Sequence, residues 1–174
     1  MLRPHVTAEA LHERQKGKLP GLFGLTVTRI EEGRLDAQLT IQPWMHAPNG
    51  YLHAASVITL ADSSAGYACM SHLPEGAKGF TTIELKSNFL GTAQEGVIRC
   101  EALADHLGRT TQVWSVVVYG PPQKEGDSGR KMALKMVSCR ITSLTFWAAK
   151  AWLLATTPAA TSRVSSTISA RRAT

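Results

Sequence analysis

Asp62 is the one carboxylate in a long stretch of small and apolar residues, which makes it the first candidate for chemistry. The stretch reads HAPNGYLHAASVITLADSSAG over residues 46–66, and every other side chain from Ala54 to Met70 is apolar, small or a hydroxyl. Burying a lone acid in such a helix is costly unless it is paired, protonated or put to use. The second candidate is the helix start at His53–Ala54. Its unpaired N–H groups and positive dipole end can hold a carbonyl oxygen that becomes an oxyanion.

Distance along the helix separates the two features. Asp62 lies eight residues beyond Ala54, about 12 Å at the helical rise. One helix therefore cannot apply both its own N-terminus and its own acid to one carbonyl carbon. If they cooperate, a second copy of the chain supplies one of them, with the two helices antiparallel across a two-fold axis. The expectation is a homodimer with two composite sites.

Each residue also has a plainer reading. Asp62 can be a hydrogen-bonded structural acid, His53 a helix-start histidine satisfied by backbone, and Asn49 and Gly50 turn residues. Arg109 can be a solvated turn residue, and Trp44, Met45 and Trp114 core or interface. Cys69 and His72, at the helix end, carry little chemical signal. The histidines at 5, 12, 46, 72 and 106 lack metal-ligand spacing, so no metal is expected.

The elements that position these residues follow from turn signals and periodicity. TAEALHERQKG, residues 7–17, reads as an amphipathic helix capped by Thr7 and stopped by Gly17 and Pro20. LFGLTVTRIEEG and RLDAQLTIQP alternate apolar and polar residues around a Glu-Glu-Gly turn, as a hairpin does. The long helix spans about 53–72. Strands follow in GFTTIELKSNFLG, GVIRCEALADHLG and RTTQVWSVVVYG, then a polar loop, PPQKEGDSGR, and a short strand near KMALKMV. Strand segments without intervening helices indicate an α+β domain, an antiparallel sheet wrapped on one buried helix. The expected division is a lead-in over 1–19, the domain over 20–137 and an atypical Ser/Thr/Ala-rich tail over 138–174, read as partly disordered.

Composition narrows the class. The net charge is +6, yet fifteen Lys and Arg face thirteen Asp and Glu up to residue 145. The other four cations, Lys150, Arg163, Arg171 and Arg172, lie in the acid-free tail. No basic stripe with interleaved aromatics argues for nucleic acid. No apolar run is long enough to span a bilayer, and the first residues lack the apolar stretch of a secretory signal. Three cysteines within apolar segments fit reduced thiols and a cytoplasmic location.

The stretch PNGYLHAASVITLADSSAG resembles the signature of hotdog-fold acyl-CoA thioesterases, in particular the phenylacetate-degradation, 4-hydroxybenzoyl-CoA and 1,4-dihydroxy-2-naphthoyl-CoA types. That pattern is a glycine, two residues, His-Gly-Gly, then an acid seven residues after the second of those glycines. Gly50, His53, Ala54, Ala55 and Asp62 occupy the corresponding places, and HLGRTTQVWSVVVY resembles the family's penultimate strand. The resemblance covers about residues 20–137. It implies the hotdog fold and hydrolysis of an acyl-CoA thioester without a cofactor. Ala54 N–H would polarise the carbonyl, His53 would orient that region, and Asp62 of the partner subunit would attack or activate water. Pantetheine would lie between subunits of a dimer or a dimer of dimers, no membrane being involved. Arg109, Thr110 and Thr111, with Lys86 and Ser87, are the candidates for the CoA phosphates.

Four positions depart from the pattern, in three respects. Alanines replace both glycines of His-Gly-Gly, Ala47 stands where Gln or Asn is common, and Gly66 stands where many relatives carry Ser or Thr. These departures motivate an alternative, a non-hydrolytic acyl-CoA binder or regulator on the same fold. A dehydratase of the hotdog superfamily is a further alternative, opposed by the placement of His53 and Asp62 on one helix.

Overall fold

A computed structural model describes residues 1–122 and 129–142. Helix α1 (Ala8–Gln15) is capped as expected, Thr7 Oγ1 accepting the Ala10 N–H at 3.2 Å. A short helix α2 (Leu19–Leu22), not anticipated, carries Pro20 in its first turn and leads into the first hairpin. Strands β1 (Thr26–Glu31) and β2 (Arg34–Thr40) meet at Gly33, whose φ of 70° only glycine adopts freely. The long helix α3 (Ala54–Ser71) precedes β3 (Gly79–Phe89), β4 (Val97–Leu107), β5 (Thr111–Tyr119) and β6 (Lys131–Thr142).

The described strands form one antiparallel sheet in the order β1-β2-β4-β5-β6-β3. Period-two alternation gives it one apolar face, built from Leu35, Ala37 and Leu39, Ile98, Cys100 and Ala102, Trp114, Val116 and Val118, and Ala133, Val137 and Cys139. Helix α3 lies on that face and buries Val57, Leu60, Ala61, Ala65, Ala68 and Cys69. Burial of so polar a helix is possible because its hydroxyls bond back to their own turn. Thr59 Oγ1 donates to Ala55 O at 3.0 Å and Ser64 Oγ to Leu60 O at 2.6 Å. Small residues admit close neighbours: a Cβ on Gly66 would stand 2.9 Å from Phe80 Cζ.

The far end of α3 is tied down by His72 and Arg3. His72 Nδ1 lies 2.8 Å from Ala68 O while Nε2 accepts the Gly33 N–H at 2.8 Å, and the ring packs against Trp114. Arg3 donates to the carbonyls of Leu73, Pro74 and Ala77, which holds the loop after α3. Cys69 and His72 are thus framework.

The end of the domain needs correcting. The last strand is twelve residues long rather than short, and it continues past the expected boundary at 137. Residues 138–142 pair with Gly79–Glu84 of β3 and place Cys139 in the core. The remainder of the anticipated tail, 143–174, and part of the polar loop lie outside the described residues.

Candidate active site

A tight turn delivers the chain to the start of α3. Gly50, at φ 82°, donates its N–H to Ala47 O at 2.9 Å, and Asn49 Oδ1 accepts the Tyr51 N–H at 3.2 Å. Asn49 and Gly50 therefore shape the turn, while Asn49 also lines a cleft. His53 caps the helix: its Nδ1 accepts the Ala55 N–H at 3.0 Å, and its carbonyl accepts the Ser56 N–H at 2.9 Å. Accepting through Nδ1 leaves the neutral ring with its proton on Nε2. Ser56 Oγ in turn donates to Met45 O at 3.0 Å, fixing the cap to the preceding loop.

One donor at this end is left over. Ala54 is exposed, and its N–H has no acceptor among the described residues. It opens onto a cleft of about 400 Å³ whose walls include Ala47, Tyr51, His53, Val57 and Phe89. A free N–H at a helix N-terminus, beside an apolar wall, is suited to a carbonyl oxygen gaining negative charge. The alanines at 54 and 55 keep the backbone donors that glycines would supply there.

Asp62 is half-buried on the side of α3 that faces β3, and its Oδ1 accepts a 3.2 Å hydrogen bond from Thr82 Oγ1. Thr82 sits beside a bulge between Thr82 and Glu84, which re-aims the edge strand at this point. The acid and the free Ala54 N–H are separated along the helix by the expected distance, about 12 Å. A side chain at Gly66 would meet the Phe80 ring at 2.9 Å, so a hydroxyl there requires that ring to shift. Nearby, interaction with the neighbouring Cys139 side chain, together with burial, pushes the Cys69 thiol up.

The anticipated phosphate ligands do not form one group. Arg109 and Thr110 lie at the opposite end of α3, an 18-residue helix about 27 Å long, where they line clefts with Pro74 and Gly76. Thr111 opens β5 beside them. Lys86 and Ser87 are likewise apart. Adjacent strand residues point to opposite faces, so Lys86 is exposed on the outer face while Ser87 turns inward. They cannot hold one phosphate together.

Lys135 escaped the sequence reading. It lies on the apolar face of β6, only 5% exposed, and its Nζ has no hydrogen-bond partner. Burial pulls its ammonium down to about 8, partly countered by Cys100 and Asp62. The signal was available: in KMALKMV, Lys135 falls in step with Ala133 and Val137 at period two.

A six-stranded antiparallel sheet around one long helix, with a donor at the helix start and an acid mid-helix, defines a hotdog thioesterase. Residues 49–126 match the family model of the thioesterase superfamily. The chain is 30% identical over 139 residues to the proofreading thioesterase EntH of Cronobacter turicensis, covering 79% of this chain and 95% of that one. It is 29% identical over 102 residues to the 1,4-dihydroxy-2-naphthoyl-CoA hydrolase of Listeria monocytogenes, 59% of this chain and 82% of the relative. A mutant thioesterase PA1618 from Pseudomonas aeruginosa superposes with a TM-score of 0.74 at 26% identity, over 82% of this chain and 99% of that one. The chain belongs to the thioesterase superfamily and is a thioester hydrolase.

Proposed function

We propose that the chain hydrolyses the thioester of an aryl or medium-chain acyl-CoA at a site shared between two copies. The observation that carries this reading is the exposed, unpartnered Ala54 N–H in its cleft, beside two neighbouring N–H groups already taken by His53. In the shared site, the thioester carbonyl oxygen accepts from Ala54 N–H of one protomer. Asp62 from the other protomer attacks the carbonyl carbon or takes a proton from the attacking water. Either route forms a tetrahedral oxyanion, which collapses by breaking the C–S bond and releasing CoA thiolate; after direct attack, water then cleaves the mixed anhydride left on Asp62 and frees the acid.

Dimerisation is supported by the edge position of β3. Its outer backbone groups are unpaired by any described strand, and the half-exposed Ile83, Phe89 and Leu90 lie on or beside it. Two such edges meeting about a two-fold axis would bring the α3 helices side by side and antiparallel, as the 12 Å separation requires. A dimer of dimers is the next assembly. The unpaired, buried Cys69, Cys100 and Cys139 support a reducing, cytoplasmic setting. Among the described residues no helix is long and apolar enough to cross a membrane.

Thiol release from a panel of acyl-CoAs tests the reading, with Asp62→Asn and Asp62→Ala as comparisons. Turnover of an aryl or medium-chain member is expected, and loss of the carboxylate should abolish it. Undiminished turnover in Asp62→Ala, or sedimentation as a monomer at concentrations where the enzyme works, would overturn it.

A further inference from the structure

Two polar groups on the inner face of the sheet have nothing to bond. Lys135 of β6 and Ser87 of β3 are direct register partners across the two strands, and both side chains turn toward the apolar face that α3 covers. Lys135 Nζ and Ser87 Oγ are each buried without a hydrogen-bond partner. An ammonium in that position keeps three donors unused and a charge out of water. The nearest compensation is the Phe89 ring, whose centroid lies 5.2 Å from Nζ. Asp62 from α3 and Cys100 from β4 act on the charge from a distance.

Phe89 also forms a wall of the cleft into which Ala54 N–H opens. Phe89 thus stands between the cleft and the buried pair: its ring walls the cleft that holds the Ala54 donor, and Lys135 Nζ lies over that ring, beneath α3. An acyl group held at its carbonyl by Ala54 would lay its apolar body along Phe89. Its far end would then meet Lys135 and Ser87.

We infer that Lys135 and Ser87 receive a carboxylate at the distal end of the acyl group, so that the preferred substrates are CoA thioesters of dicarboxylic acids. This rests on the thioester-hydrolase reading of the cleft. The carboxylate accepts from the ammonium and from the serine hydroxyl, which satisfies both orphaned groups at once. Lys135 is a specificity-determining residue here and takes no part in breaking the C–S bond.

The test compares two series of equal length, succinyl- to suberyl-CoA against butyryl- to octanoyl-CoA, with parent, Lys135→Met and Ser87→Ala enzymes. At one chain length or more the parent should favour the carboxylate-ended substrate in kcat/KM by about tenfold or more, the scale of one charge-assisted hydrogen bond. Lys135→Met should erase that preference while leaving the methyl-ended substrates within about twofold, and Ser87→Ala should weaken it less. A parent that hydrolyses both series without preference overturns the inference and leaves the thioesterase reading intact. Equal losses on both series, or a Lys135→Met chain that no longer assembles, also overturn it. If neither series turns over, the reading of the cleft fails, and calorimetry with non-hydrolysable CoA thioethers decides the inference alone. Tighter parent binding of a carboxyalkyl than an alkyl thioether, equalised in Lys135→Met, supports it; equal parent affinities overturn it.

Discussion

Replacing Ala54 with proline removes one hydrogen-bond donor from the cleft and little else. Ala54 is the first residue of α3, where a proline ring is tolerated because the N–H has no acceptor within the helix. His53, at φ −67° and ψ 139°, already has the extended conformation a residue before proline adopts. Ala54→Pro should therefore fold, with a Tm at or slightly above the parent's, since restricting the unfolded chain contributes about 0.4–1 kcal/mol. Catalysis should fall far more. The Ala55 and Ser56 N–H groups are held by His53 at 3.0 and 2.9 Å, so Ala54 N–H is the donor left for an oxyanion. Losing one such donor costs about 10²–10³ in kcat, or about 2.7–4 kcal/mol. Ala54→Gly keeps the N–H and should keep turnover.

A shared site makes a sharper demand. Ala54→Pro retains Asp62, and Asp62→Ala retains the Ala54 donor, so a mixed dimer has one intact site and one doubly damaged site. With random pairing about half the dimers are mixed, and thiol release should recover to about one quarter of the parent's. Differently tagged chains purified in two steps would isolate the mixed dimers and raise that figure to about one half. A folded Ala54→Pro enzyme with kcat within about threefold of the parent's refutes the donor role. Mixed dimers that form but stay inactive refute the division of the site between chains.

Other expectations can be checked separately. Thr82→Val removes the 3.2 Å hydrogen bond to Asp62 and should lower kcat by about threefold to tenfold at unchanged KM, the scale of about 1 kcal/mol. An unchanged kcat would mean that Thr82 does not hold the carboxylate for reaction. Lys135→Met should be more stable than the parent at pH 7, and that advantage should shrink as pH rises. The ammonium is held near 8 when folded, against about 10.4 when unfolded, so between those values the unfolded state binds the extra proton and parent stability rises with pH. Denaturant melts should show the gap closing by roughly 2–3 kcal/mol from pH 7.5 to 10.5, and a constant gap would refute the burial argument. Tyr67 and Tyr119, both pushed up by burial, oppose this trend equally in both chains and cancel in the difference. The Cys100 thiol, pushed up by burial, loses the downward pull of Lys135 in the variant and so adds to the closing of the gap. Ending the chain at Val137 removes residues that pair with Gly79–Glu84 of β3, and a cooperative melt in the shortened protein would contradict their structural role.

The hairpin, the long helix and the alternating strands were legible because each is announced locally, by Glu-Glu-Gly, Pro-Asn-Gly or strict alternation. The separation of Ala54 from Asp62 was legible for the same reason, since helical rise depends on nothing distant. Strand β6 was cut short because Ser138–Thr142 lacks a strong apolar alternation; its pairing with β3 supplies what the local sequence does not. Lys86 and Ser87 were named side by side as further phosphate candidates, and the pleat divides such adjacent residues between faces. Arg109 was named for the CoA phosphates as a basic residue at a turn; within one chain a helix of about 27 Å lies between that turn and His53, a distance the local sequence does not reveal. Phe80 above Gly66 and the orphaned Lys135–Ser87 pair are products of tertiary packing. Only the period-two position of Lys135 hinted at the second.

The close fit of Gly66 beneath Phe80 also bears on descent. A side chain at 66 would meet the Phe80 ring at 2.9 Å, so the two positions change as a pair or in a fixed order. Restoring a hydroxyl at 66 first creates a clash, while shrinking Phe80 first leaves a hole beside α3. Each single step is penalised before the second relieves it, which makes the pair a ratchet. A chain with this pair holds its glycine even where a hydroxyl would serve the chemistry better.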